Sequence, residues 1–116
     1  MNEELGWIRK AIEIIEDKKG EEIVVVDLSE VSIPTSYFVI ASADNAVHLK
    51  AIASAFMKDF PLPSHHREGW DERRWVVMDY GDLIVHLFQK DARAFYDIES
   101  LWADHIASVD SLREAA

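Results

Sequence analysis

The stretch Trp75–Gln89, WVVMDYGDLIVHLFQ, reads as two apolar strands broken once, at Gly81-Asp82. Glycine tolerates positive φ, and a two-residue hairpin turn of type II′ wants it first, so the break predicts a β-hairpin. That turn pairs Tyr80 with Leu83, Asp79 with Ile84, Val77 with His86 and Trp75 with Phe88. Side chains alternate across a strand, which gives the ribbon two unlike faces. Val76, Met78, Tyr80, Leu83, Val85 and Leu87 make a core face. Trp75, Val77, Asp79, Ile84, His86 and Phe88 make a mixed face. A carboxylate and an imidazole among large apolar groups need a partner, a covering helix or an exposed role. The mixed face is where function is expected.

Upstream, Leu5, Ile8, Ile12 and Ile15 recur at helical spacing and predict a helix over 2–18, closed by Lys18-Lys19-Gly20. IVVVDL (23–28) and YFVIAS (37–42) read as buried strands, joined through the connection around Pro34. A helix over 46–59 follows capping residue types at 43–45 and ends before Pro61 and Pro63. The polar segment 64–73 has room for a short strand ahead of Trp70. After the hairpin, Asp91 opens a last helix through Phe95, Ile98, Leu101 and Trp102. Tyr80, Phe95 and Trp102 are expected to fill the core, as large aromatics commonly do, while the tail from Ala107 carries weak signals and is expected to fray. Strand, helix, later strand implies a parallel crossover. The expected fold is therefore α/β, with a mixed four- to five-stranded sheet and flanking helices. One domain over 1–104 with a C-terminal tail over 105–116 accounts for the chain.

The 116 residues contain no cysteine, which excludes disulfides, thiolate metal sites and thiol catalysis. The N-terminus has acidic residues where a secretory signal needs a basic region, and no apolar run approaches the ~20 residues that span a bilayer. The formal charge of −10 opposes binding to free nucleic acid and suits a basic partner. Arg67, Arg73 and Arg74 make one local basic spot just before the hairpin.

The signal for chemistry is poor. Asp79, Asp82 and His86 could serve a small nucleotide- or metal-dependent enzyme, but their spacing matches no strong motif. His65-His66 with Glu68 is weakened because neighbours on an extended segment point apart. There is no G-x-S-x-G elbow, no G-x-x-x-x-G-K-[ST] loop, and with four glycines no G-x-G-x-x-G turn. No cofactor or metal is expected. The aromatics are more informative, because Trp, Tyr and Arg dominate binding hot spots, and Trp75 beside Asp79 and His86 reads as a binding surface.

In order along the chain stand SYFVIAS, Val47 with Ala51-Ile52-Ala53, Glu68-Gly69, WVVMDYGDLIVHLF, and Arg93 with FYDIESLW. This series resembles the ribosomal silencing factor family, also called Iojap-like proteins, over roughly residues 5–104. The resemblance implies a nucleotidyltransferase-like sandwich without a catalytic role. It implies binding to the large ribosomal subunit at ribosomal protein number fourteen, a steric block to subunit association, and translation repression under nutrient limitation. A bacterial cytoplasmic location and a possible homodimer are implied as well. Carried over onto this chain, the contact surface is the mixed face. Trp75 is the apolar anchor and Asp79 and His86 are polar contacts, with Tyr80 and Asp82 at the turn. Glu68 and Gly69 form a rim, and Arg93, Tyr96 and Glu99 either brace the hairpin or extend the patch. The chain departs from the family pattern at Ser36, where Asp is usual, and at Ser42-Ala43-Asp44-Asn45, where S/T-G-x-S is usual. A nucleotidyltransferase would need a Gly-Ser at that second position and a D-x-[DE] pair on the next strand, and neither is present.

Overall fold

The computed structural model describes residues 3–114. Helix α1 (Glu3–Asp17) turns Ile8, Ala11, Ile12 and Ile15 inward at helical spacing. Gly20 follows it at a point where a Cβ would collide with the buried Ile15 side chain, so glycine lets the chain pass close to the helix. Against the expected 2–18, the helix ends one residue earlier, with Lys18 already in the turn, and Asn2 lies outside the described residues.

Strands β1 (Glu21–Asp27) and β2 (Tyr37–Ala43) pair antiparallel. Helix α2 (Ala46–Asp59) is capped by the Asn45 side chain, which accepts from the His48 N–H at 2.8 Å, and ends at Phe60 before Pro61. The departure from the family pattern at position 45 therefore still supplies a cap. The short strand expected ahead of Trp70 is β3 (His66–Glu68), followed by β4 (Trp75–Asp79) and β5 (Leu83–Gln89).

With β6 (Ile106–Ala107), the sheet has six strands in the order β3-β4-β5-β2-β1-β6, with β2 and β5 parallel and the other pairs antiparallel. It is mixed, as expected, with the crossover running through α2. It exceeds the four or five strands anticipated because β3 and β6 are only three and two residues long, too short to show a period.

Two clusters fill the two sides of the sheet. The larger joins α1 and α2 to Val25, Val39, Ala41, Val76, Met78, Val85 and Leu87. Burying one such large apolar side chain stabilises by roughly 1.5–3 kcal/mol, and this layer holds most of them. The smaller gathers Val26, Leu28, Ile40, Phe88 and Ala92, flanked by Phe38, Trp75, Ile98 and Trp102.

The C-terminal third departs from expectation. The last helix is not continuous: α3 covers only Lys90–Tyr96, and Asp97 adopts a left-handed conformation (φ 43°). A 3-10 segment follows over Ile98–His105, with non-helical dihedrals at Trp102. The turn around Asp97 takes the chain off the helical path, so Phe95 is 80% and Leu101 78% exposed. Trp102 does flank the smaller cluster, but Phe95 does not enter a core. The expected fraying tail is also corrected. Ile106-Ala107 forms β6 against β1, and α4 (Val109–Glu114) places Leu112 in the larger cluster.

Candidate functional site

The hairpin forms with the expected register: Trp75 opposite Phe88, Val77 opposite His86, Asp79 opposite Ile84. The Tyr80 N–H donates to the Leu83 carbonyl at 2.8 Å, closing the two-residue turn, and Gly81 takes φ 91°. The Asp79 carboxylate accepts the Gly81 N–H at 2.8 Å. Asp82 is exposed, and its carbonyl accepts the N–H groups of Ser36 and Tyr37, tying the turn to the start of β2. Position 36 thus contributes through its backbone, which any residue other than proline supplies.

The mixed face is only partly open. Phe88 is fully buried and His86 is 7% exposed, because α3 and the 3-10 segment cover the inner half of the face. Trp75, Val77, Asp79 and Ile84 remain half-buried. The Trp75 ring stacks on Phe88 at 4.9 Å and meets Tyr96 of α3 at 4.8 Å. Tyr96 is about half exposed and meets Phe95 edge-on at 5.1 Å. Phe88, Trp75, Tyr96 and Phe95 form a continuous aromatic run from the interior to solvent.

The Trp75 indole N–H donates to Nδ1 of His86 at 3.1 Å. This puts the imidazole proton on Nε2, which is buried without a hydrogen-bond partner. The Phe38 and His86 rings meet in a T-shaped arrangement with centroids 4.7 Å apart. Desolvation pushes the His86 pKa down to about 4. His86 therefore positions the indole, and the direct polar contact expected of it is corrected.

Tyr80 is corrected too. It is 5% exposed on the opposite face, against Phe60 at 4.6 Å, and burial pushes its phenol up to about 12. Its place on the core face follows the alternation, whereas its place beside the turn had suggested contact.

Arg93 braces rather than extends the patch. Its side chain is buried and forks onto the Glu99 carboxylate, with Nη2 at 2.8 Å and Nε at 3.2 and 3.3 Å. Its Nη1 donates to Ser42 Oγ at 2.9 Å and to the Glu22 carbonyl at 2.6 Å. What it joins is β1, β2 and the 3-10 segment, not the hairpin. Glu68 is exposed on β3 and pairs with His66 at 2.9 Å. Gly69 has φ 79°, and a Cβ there would lie 1.9 Å from the Trp75 carbonyl oxygen, so its role is to let the loop pass the anchor.

Asp79 and His86 share the mixed face as diagonal neighbours. Asp79 stands opposite Ile84 and His86 opposite Val77, and Asp82 lies in the turn itself. Among the described residues no group of three His, Asp or Glu could hold a metal ion, and no helix is long and apolar enough to cross a membrane. Sequence reasoning missed Phe95 and Leu101 as surface groups. The signal that could have found them is Asp97, a residue type that tolerates the left-handed region and can end a helix.

Fold and site together define a small α/β protein that presents an aromatic run at the end of the hairpin opposite its turn. The family model "Ribosomal silencing factor during starvation" matches residues 2–116. A ribosomal silencing factor from Halalkalibacterium halodurans is 34% identical over 106 residues, covering 89% of each chain. One from Bacillus subtilis is 36% identical over 92 residues, covering 77% of this chain and 78% of the relative. A crystal structure of a Chromobacterium violaceum protein superposes with a TM-score of 0.79 at 32% identity, covering 84% of each chain. The chain belongs to the ribosomal silencing factor family, whose role is ribosome-associated silencing of translation.

Proposed function

We propose that this chain docks on the large ribosomal subunit at ribosomal protein number fourteen and sterically blocks subunit association, repressing translation under nutrient limitation in the cytoplasm. The observation that carries this reading is the aromatic run Trp75–Tyr96–Phe95, exposed increasingly toward its outer end. Aromatic anchors of this kind concentrate binding energy. Asp97 at the end of α3, and a chain charge of −10, suit a basic ribosomal protein. The sandwich, read as nucleotidyltransferase-like, serves as a rigid wedge and needs no chemistry of its own. A homodimer formed through the same face would compete with the subunit.

The test is sedimentation with separated subunits through sucrose. The parent is expected to travel with large subunits and to prevent their joining to small ones. Trp75→Ala is expected to weaken that binding by ~2 kcal/mol or more while remaining folded. A parent that stays at the top of the gradient, or that pellets without affecting subunit joining, would overturn the reading.

A further inference from the structure

Three cations gather around one indole on the side of the sheet that carries α2. The Arg67 guanidinium lies over the Trp70 ring, 5.4 Å from its centroid, and its Nη1 contacts Met57 Sδ at 3.4 Å. Arg73 donates from Nε to the Trp70 carbonyl at 3.3 Å. Lys50 of α2 and Arg73 line the same narrow gap as Trp70, together with Leu49, Ala53 and Val76, and no carboxylate lines it. Among the described residues none of the three cations forms an ion pair, whereas neighbouring Arg74 pairs with Asp91 and Lys90 with Glu21 and Asp44.

This is unusual for a chain of charge −10. Residues 46–74 hold five of the 12 cations, Lys50, Lys58, Arg67, Arg73 and Arg74, against four of the 22 acids. Asp71 and Glu72 stand exposed in the adjoining turn without an ion pair to the three cations among the described residues, and Glu68 pairs with His66. Arg73 also holds φ 56°, a left-handed conformation that is strained for a non-glycine residue. That backbone is fixed by Gln89, whose Nε2 donates to the Arg73 carbonyl at 2.9 Å, and by the Arg73 N–H on the Gly69 carbonyl at 2.9 Å. The surrounding structure thus imposes a strained backbone that sets Arg73 against the Trp70 carbonyl, in the gap that Lys50 also lines.

We propose that Lys50, Arg67 and Arg73 around Trp70 form a contact for the phosphate backbone of ribosomal RNA. The inference rests on the large-subunit reading above and goes beyond it, assigning a second contact on the opposite layer from the aromatic run. Planar guanidinium forks match phosphate oxygens, and stacking on Trp70 holds the Arg67 fork in place. Three such contacts are too few to hold free RNA against the acidic body. They add affinity and fix orientation once the aromatic run has docked.

The experiment measures affinity for purified large subunits across a potassium chloride series, for the parent, Lys50→Gln/Arg67→Gln and Trp75→Ala. Both cationic positions are exposed, and unfolding curves check that the double variant folds. Each lost phosphate contact lowers the slope of log affinity against log salt by roughly 0.7–0.9. The double variant is expected to bind at least ~10-fold more weakly at 0.1 M salt with a slope shallower by about 1.5, and Trp75→Ala to weaken binding at unchanged slope. A benzophenone side chain at exposed Ser54, one turn beyond Lys50 on α2, is expected to crosslink to RNA. A double variant that binds with parental affinity and slope would overturn the proposal and leave the subunit reading intact. Weaker binding at parental slope, or crosslinks to protein alone, would overturn it in favour of a protein contact. A parent that does not bind subunits at all would remove both.

Discussion

The indole N–H of Trp75 and Nδ1 of His86 meet at 3.1 Å, and this bond fixes the imidazole as a neutral ring inside the protein. Burial lowers the His86 pKa from 6.5 to about 4. Between those values the unfolded chain binds a proton that the folded chain refuses. Stability from this group is therefore fully present above about pH 6.5 and is lost as pH falls toward 4. A shift of this size corresponds to about 3 kcal/mol at its limit. Urea unfolding of the parent and of His86→Phe at pH 7 and pH 4.5 checks it. The advantage of the parent over the variant is expected to shrink by about 2 kcal/mol at the lower pH, since the carboxylates are common to both chains and cancel.

Gly69 is expected to be irreplaceable for a backbone reason. Alanine there places its Cβ 1.9 Å from the Trp75 carbonyl oxygen and must also hold φ 79°. The loop has to shift, and β4 begins at the residue it collides with. Gly69→Ala is expected to cost about 2–3 kcal/mol in chemical denaturation. It is also expected to weaken subunit binding, because the displaced backbone carries the anchor. A variant as stable as the parent would show that the loop has room to relax.

How much of this was legible in the sequence depends on the range of the interaction. The hairpin could be read from alternation and one Gly-Asp turn, both local, and its register followed. The α1 stripe and the proline stop after α2 were local too. β6 was not legible, because two residues show no period and their pairing partner Val25-Val26 lies some eighty positions earlier. The helix break at Asp97 was hidden because Phe95, Ile98 and Leu101 keep helical spacing through it. At the candidate site, the residue types of the mixed face were visible but their cover was not. Whether α3 lies over Phe88 and His86 is decided by tertiary packing, and that packing separates a positioning histidine from an exposed contact.

Arg93 shows the same limit in energetic terms. An arginine near the end of a short helix suggests a solvated cation, yet its guanidinium satisfies Glu99, Ser42 and the Glu22 carbonyl while 7% exposed. The Glu22 backbone is itself left-handed, at φ 52°, where β1 bulges. Arg93→Met is expected to destabilise by roughly 3 kcal/mol, since it strips several buried acceptors of their donor at once. Arg93→Lys is expected to recover little of this, because an ammonium cannot reproduce the fork. Denaturant midpoints of the three proteins decide it.

Phe95 and Tyr80 form a controlled comparison of surface against core. Phe95 is 80% exposed and touches Tyr96, so removing its ring leaves no cavity. Phe95→Ser is expected to change stability by no more than about 0.5 kcal/mol. If the aromatic run is the docking surface, the same change should weaken large-subunit binding by ~10-fold or more. Tyr80 lies under Phe60, and its hydroxyl has only a long contact, 3.8 Å, with Met78 Sδ. Tyr80→Phe is expected to bind subunits as the parent does, because the hydroxyl does not reach the surface. Sedimentation of both variants with large subunits separates the possibilities. Loss of binding in Tyr80→Phe with retention in Phe95→Ser would move the interface to the opposite layer of the sheet, since no single docking mode through Trp75 and Tyr96 produces that pair of results.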